Sequence, residues 1–319
     1  MSLITDNPDI LELQPRLEDD DAGVRRIAII ALADLEDPDS LPWLIGALST
    51  DPASSVRAEA ARLLEAWEES EVVLALCHAL TDQEAAVGLA AAQSLSQLKT
   101  EAAGKLLLPW AQHTDPFARA SALRALRELR LPESANLARE ALSDPSAEIR
   151  REAVGILGWL KSTEALSDLT QRLAQDSDLE VRRMSAGAVG FASTSAVIHA
   201  LTQALNDDLQ WRVREEAATT LGKIGDDIAG AALVKALTDD YWQVRLRAVR
   251  SLGRIKYSLA RLDVERLLVH EISNLRKESA LALGEFGDSQ ALPALLLAEN
   301  DGDPEVRKAV RIALLQLQP

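Results

Sequence analysis

The sequence predicts an all-α protein, a right-handed α-solenoid of about ten helix pairs running through residues 1–319 as a single domain. Three observations carry this. Ala, Leu, Arg and Glu dominate, and aromatic residues make up only 3% of the chain, so side chains suited to a large sheet are scarce. An apolar anchor returns every 31 or 32 residues, at Val24, Val56, Val87, Ala118, Ile149, Val181, Val213, Val244, Leu275 and Val306. Arginine follows the anchor everywhere except at Gly88. Finally, 319 residues exceed the usual size of one compact core, and the repeat leaves no room for an independent second domain.

Each repeat justifies two helices. Four residues after the anchor stands a small side chain (Ala28, Ala60, Ala91, Ala122, Ala153, Ser185, Ala217, Ala248, Ser279), and eight after it an aliphatic one, from Leu32 and Leu64 through to Leu314. That spacing is one buried face of an amphipathic helix, and its small centre lets neighbouring helices approach closely. Ahead of the anchor, Asp21, Asp115, Ser146, Asp178 and Asp303 are placed to cap the helix N-terminus. Turn pairs such as "DP" (37–38) and "GD" (225–226) punctuate the repeat, and a shorter apolar helix follows, as in "SLPWLIGAL" (40–48) and "AGAALVKAL" (229–237). Neither helix can bury its apolar face without the next repeat, which is the logic of a solenoid.

The recurring unit "D…VRxxAxxxLGxIGD" is cleanest in "DDLQWRVREEAATTLGKIGD" (207–226), "DDYWQVRLRAVRSLGRI" (239–255) and "LRKESALALGEFGD" (275–288). On these motifs the chain resembles the HEAT-like repeats of phycobilisome-lyase type, with the repeats anchored at Val87 and Ala118 drifted from the pattern. The resemblance implies a HEAT-like α-solenoid. It also implies a range of roles: chromophore lyase, phycobilisome-degradation factor, iron–sulfur assembly partner or general adaptor.

Charge and chemistry narrow the classes. A net charge of −16 disfavours attachment to nucleic acid or anionic lipid. The N-terminus is acidic and lacks a signal-peptide pattern, and no apolar run approaches a membrane span, so a cytoplasmic protein is expected. One cysteine, Cys77, cannot form an internal disulfide, and His78, His113, His199 and His270 lie far apart. Cys77 and His78 point about 100° apart on a helix and read as a buried thiol beside a histidine, not a dyad. Pro109 and His113 are expected to mark a kink. Family enzymes of the deoxyhypusine hydroxylase kind carry His-Glu pairs two and three residues after four anchors. Here those slots hold no histidine, and His270-Glu271 lies ahead of its anchor, so that di-iron activity is rejected. No phosphate loop or nucleophile with its base is found, and no catalytic residue or cofactor is assigned.

In HEAT-like solenoids the anchor-bearing helix lines the concave face, which makes its positions two, three, six and ten the expected ligand surface. Trp159 and Phe191 both stand at position ten, Met184 at three, and Gly155 and Gly187 at six, flanked by Arg151 and Arg183. Interior glycine costs a helix roughly 1 kcal/mol relative to alanine, so the aligned pair means either close helix contact or room for a docked group. An apolar floor with a cationic rim suits an acidic amphipathic helix or a flat carboxylate-bearing ligand such as a linear tetrapyrrole. The alternative is tight curvature, with the aromatics filling the inner wall. Trp211 and Trp242 occupy equivalent turns, with Tyr241 beside the second, and stacked turns are expected to bring the two indoles to one edge. Arg247, Arg250 and Arg254 run beside them, as a recognition strip or as partners of Glu215, Glu216, Glu278 and Glu285. The arginine after each anchor reads as architecture, paired with an acidic turn residue of its own or the adjacent repeat.

The functional expectation is a non-enzymatic scaffold that binds a partner protein or peptide on the concave face through Arg151, Trp159, Arg183, Met184, Phe191, Trp211, Tyr241, Trp242, Arg247 and Arg250. The alternative, implied by the resemblance, is a bilin-handling protein: a phycobiliprotein lyase or a degradation factor, partnered by a bilin-carrying protein.

Overall fold

The structure is a computed structural model that describes residues 5–317. Among the described residues it contains twenty α-helices joined by turns, many of them single 3-10 turns, and no strand. The chain forms two compact halves, the first ending at Leu160 and the second beginning at Lys161. The first half holds α1 (Pro8–Leu17), α2 (Ala22–Ala33), α3 (Leu41–Thr50), α4 (Ser54–Leu63), α5 (Ser70–Ala79), α6 (Ala85–Leu95), α7 (Glu101–Leu107), α8 (Pro116–Leu129), α9 (Ser134–Ala141) and α10 (Ala147–Trp159). The second holds α11 (Leu166–Gln175), α12 (Leu179–Ala188), α13 (Ser195–Asp207), α14 (Trp211–Ile224), α15 (Gly230–Ala236), α16 (Trp242–Arg254), α17 (Arg261–Arg266), α18 (Ser273–Phe286), α19 (Leu292–Leu297) and α20 (Pro304–Leu317). This is an α-solenoid fold.

Every predicted anchor is the third residue of an even-numbered helix. All are buried except Val24, and every position eight on is buried except Leu314. Both exceptions lie in the first and last described pairs, where only one neighbouring pair covers the helix. The small residues four on are sealed completely or nearly so, which brings consecutive even-numbered helices together within each half. Where α14 meets α16 the approach is close: Ser251 Oγ donates to the Ala218 carbonyl at 2.7 Å, and its side chain occupies the space a Cβ on Gly222 would need. Ser94 makes the same bond to Ala61 between α6 and α4.

Helix ends follow the local chemistry. Asp21, Asp115, Asp178 and Asp303 accept from backbone N–H groups two or three residues on. Ser146 does not; it stands at the N-cap of α10 without a side-chain cap bond. Gly225 closes α14 in the left-handed region at φ 83°, and Asp226 then starts a 3-10 turn by accepting from the Ile228 N–H. Pro109 does not kink a helix as expected. It opens the 3-10 turn Leu108–Gln112 after α7 has ended, a position where its missing N–H costs nothing.

A ladder of ion pairs runs along the turns of each half. Arg25 reaches Asp51 with Nε and Nη2 at 2.7 and 2.8 Å, and its Nη1 donates to the Asp19 and Asp20 carbonyls. Arg57 pairs with Asp82, Arg119 with Asp144, Arg182 with Asp208, Arg214 with Asp239 and Arg276 with Asp301. The partner always lies in the turn of the following repeat, 25 or 26 residues on. Its Oδ1 also accepts the backbone N–H two residues later, as in Asp239 with Tyr241. Each rung thus ties two turns together through a bidentate guanidinium, a geometry only arginine supplies.

Candidate functional site

The even-numbered helices position most of the predicted surface, and three of its arginines are held by glutamates. Arg247 Nε donates to Glu215 at 3.0 Å, Arg250 Nη2 to Glu278 at 2.5 Å, and Arg183 Nε to Glu180 at 2.8 Å. The first two cross from one repeat to the next, which is the ion-pair alternative open from sequence. Arg250, Arg254 and Lys256 share a crevice with Glu278 and Glu285. There burial, reinforced by Glu278, pushes the Glu285 carboxyl above its usual range despite the neighbouring cations.

The aromatic residues behave differently. Trp159 ends α10 with its side chain 55% exposed and the Arg130 guanidinium 4.1 Å above its ring, a cation–π pair. Arg130 reaches that position from a left-handed C-cap at φ 53°. Arg151 in the first half, and Arg183, Met184 and Phe191 in the second, are half-buried. The gap above Gly187 is not vacant, because the Glu216 side chain lies 3.1 Å from where a Cβ would stand, which favours the close-contact reading of that glycine.

The turns of the repeats anchored at Val213 and Val244 do bring aromatic rings together. Trp211 stacks on Tyr241, centroids 5.5 Å apart and planes 15° from parallel. Tyr241 is the N-cap of α16, with extended backbone at φ −97°, whereas Trp242 is already the first helical residue. From this extended cap the phenol ring lies against the indole of the preceding repeat. Arg212 lies 5.5 Å from Trp211 and Arg214 5.7 Å from Tyr241, so a ladder arginine supports the stack.

Sequence reasoning overlooked the aliphatic residues of the turns and odd-numbered helices. Leu209, Val269 and Leu297 are almost fully exposed, and Leu259 nearly so. Their signal was available: each interrupts a polar turn or falls off the buried stripe of its helix. In the first half, His113 stacks on Trp110 at 5.0 Å, and His78 meets the same indole edge-on at 5.2 Å. Cys77, one residue before His78, is sealed, and burial pushes its thiol up to about 12. Among the described residues no three metal-ligating side chains come together, and no helix is long and apolar enough to cross a membrane.

Stacked helix pairs with a buried anchor stripe and a turn-to-turn Arg–Asp ladder define an α-solenoid repeat protein. The sequence pattern of HEAT repeats matches residues 6–65, 43–127, 104–190, 167–245 and 230–315, and the chain belongs to that family. No curated protein matches it by sequence. An engineered protein is similar in structure, with 21% identity and a TM-score of 0.55 over 98% of this chain and 100% of that one. YibA of Escherichia coli has 22% identity and a TM-score of 0.60 over 84% of this chain and 98% of that one. Kap95p, from a structure concerned with its binding to RanGDP, has 14% identity and a TM-score of 0.67 over 97% of this chain and 49% of that one. At these identities the likeness concerns the fold.

Proposed function

We propose that the chain is a non-enzymatic interaction scaffold that binds a partner protein or peptide. One observation carries the reading: of all the Trp, Tyr and Phe side chains, Phe286 alone is buried. A core built from Leu, Val, Ile and Ala leaves the aromatic residues at the surface, and large rigid aromatics are the commonest binding anchors. Trp159 in the first half and the Trp211–Tyr241 stack in the second are the anchors, with Met184, Phe191 and Trp242 as secondary contacts. Arg183, Arg247 and Arg250 in the second half, already held by glutamates, and Arg151 in the first add polar contacts that tune specificity more than affinity. Kap95p, which shares the fold, binds RanGDP, and that supports a protein partner. The net charge of −16 supports a partner that is neither nucleic acid nor membrane, and a cytoplasmic setting is part of the same reading.

The test compares partners captured by the native chain with those captured by Trp159→Ala and by Trp211→Ala/Tyr241→Ala, quantified by mass spectrometry. Loss of the same partner from one variant by about tenfold or more is expected. Undiminished capture by both removes the proposed surface. A second reading, which rests on the resemblance of the repeat motif to phycobilisome-lyase-type repeats, is a bilin-handling role. Visible absorption of a bilin mixed with the chain, with and without apo-phycobiliprotein, would change if that role holds.

A further inference from the structure

Among the described residues the three most exposed large apolar side chains all belong to the second half: Leu209, Val269 and Leu297 are 90%, 88% and 87% exposed. They are not scattered. Leu209 lines a groove of about 350 Å³ between the turns that lead into α14 and α16, whereas Val269 and Leu297 line one of about 530 Å³ between the turns that lead into α18 and α20. The two grooves are one feature met twice, two repeats apart. An intact rung lines each, Arg214–Asp239 in the first and Arg276–Asp301 in the second. Asp207 and Val269 both stand six residues before their anchors, Leu209 and Glu271 four, and Lys235 and Leu297 nine before the anchor that follows.

The charge beside these apolar side chains has one prevailing sign. Asp207, Asp208, Asp239 and Asp240 line the first groove against Arg214 and Lys235, and Glu265, Glu271 and Asp301 line the second against Arg276. Both arginines are committed, since each gives Nε and Nη2 to its rung aspartate and Nη1 to a carbonyl of its own turn. Glu265 is held by Arg261, and His270 in the second groove accepts the Ile272 N–H through Nδ1. Asp207, Asp240 and Glu271 are different: they are exposed, and among the described residues no cation pairs with them. Asp207 is also the last residue of α13, where the negative end of the helix dipole adds to its own charge.

We propose that the two grooves are a docking surface for a basic, apolar segment of a partner protein, which covers Leu209, Val269 and Leu297 with aliphatic side chains and sets lysine or arginine against Asp207, Asp240 and Glu271. Covering the apolar side chains takes the neighbouring carboxylates out of water, so whatever covers them must bring positive charge. A second copy of this chain, at a charge of −16, brings the wrong sign, and so do the phosphates of nucleic acid or of anionic lipid. The aromatic stack belongs to the same edge: Trp211 follows Leu209 by two residues and Tyr241 follows Asp240 directly. A segment seated in the first groove therefore meets the stack as well. That the ligand is a protein rests on the scaffold reading above; its charge and apolar character rest on the grooves.

The test follows the methyl signals of Leu209, Val269 and Leu297 in the 13C-methyl-labelled full chain during titration with the peptide Ac-Leu-Lys-Ser-Leu-Lys-Ser-NH2. Two counterparts are titrated in parallel, one with serine for both leucines and one with glutamate for both lysines. The leucine–lysine peptide is expected to move all three signals, and each counterpart to bind more weakly by about tenfold or more. Asp207→Asn/Asp240→Asn/Glu271→Gln should weaken the first peptide by about tenfold, as should Leu209→Ser/Val269→Ser/Leu297→Ser. Glu65→Gln/Glu69→Gln/Glu71→Gln removes the same charge from the first half and should change its affinity by less than about twofold. Signals unmoved by the leucine–lysine peptide at about 1 mM overturn the docking surface. Equal weakening by the first-half variant, or equal binding of the serine counterpart, overturns it too, as attraction by net charge alone. Signals that move only when the chain itself is concentrated make a second copy the occupant and likewise overturn it. Still methyls beside a partner lost from Trp211→Ala/Tyr241→Ala remove the grooves and leave the scaffold reading standing; moving methyls with undiminished capture do the reverse.

Discussion

The ladder fails once in each half, and the two failures are opposites. In the first half both rails are lost: Gly88 replaces the arginine and His113 the aspartate. The vacated volume is refilled with hydrocarbon, since Phe117 Cε1 lies 3.3 Å from where a Cβ on Gly88 would stand, and His113 stacks on Trp110. In the second half Arg245 survives and only its partner changes, to His270. Nothing replaces the carboxylate, and the Arg245 Nε stays buried without an acceptor. Removing both members of an ion pair and repacking is tolerated, whereas removing one leaves a charge with a cost. The first rung has become core; the second remains chemically open.

Four measurements would break or sharpen that contrast. The largest difference is expected between Arg214→Ala and Arg245→Ala. Truncating the intact rung strands Asp239 in a turn where its side chain is 9% exposed, and should cost about 3 kcal/mol in urea unfolding. Truncating the open rung strands no carboxylate and should cost less than about 1 kcal/mol. Equal losses would mean that Arg245 has an internal partner after all.

Next in size, His270→Asp should stabilise by about 1 kcal/mol by completing a charge-assisted pair. His113→Asp should destabilise by a similar amount, about 1 kcal/mol, because it breaks the Trp110 stack and meets no arginine.

Acid sensitivity follows from the intact rungs. Arg57 holds the Asp82 carboxyl below its usual range, and Arg276 does the same for Asp301. Burial acts to raise Asp51 and Asp239, but the bonds from Arg25 and Arg214, together with the backbone N–H groups of Ala53 and Tyr241 and the neighbouring positive charge, outweigh it and both end lowered. Such groups lend stability that is fully present above the unfolded carboxyl value, about 4, and is lost as pH falls through the lowered folded value. Stability should therefore decline below about pH 4, and more steeply in His270→Asp, which adds one more such carboxylate. A pH profile unchanged by that substitution would show that the new carboxylate is not held by Arg245.

The smallest effect is a labelling rate. With its thiol pushed up to about 12 by burial, Cys77 should resist alkylation at pH 8 in the native chain. Phe117→Ala should speed the reaction by loosening the packing around Gly88, and His270 variants should leave it unchanged.

The fold was readable because its signal repeats: ten anchors in register place ten helices without knowledge of any partner. The Glu215 and Glu278 pairings were also visible as one alternative, since opposite charges recur at a fixed repeat distance. What escaped was information carried by backbone direction or by a second register. The stack of Tyr241 on Trp211 starts from an extended cap residue, which composition does not encode. Ser146 has the right chemistry for a cap without making the bond. His113 read as a kink and His270 as part of a stray His-Glu pair because the repeat was aligned on the arginines. Aligning it on the aspartates 25 residues on exposes both histidines as substitutions at one position.

The ladder arginine grips two carbonyls of its own turn as well as the carboxylate of the next, so each rung behaves as a rivet through two plates. Heat or denaturant should not peel such an array helix by helix; neighbouring pairs within a half should let go in blocks whose edges fall where rivets are missing. Gly88 and Arg245 mark those fault lines. At Gly88 the joint has been glued with aromatic packing, and at Arg245 the arginine remains without the carboxylate that would close the rivet.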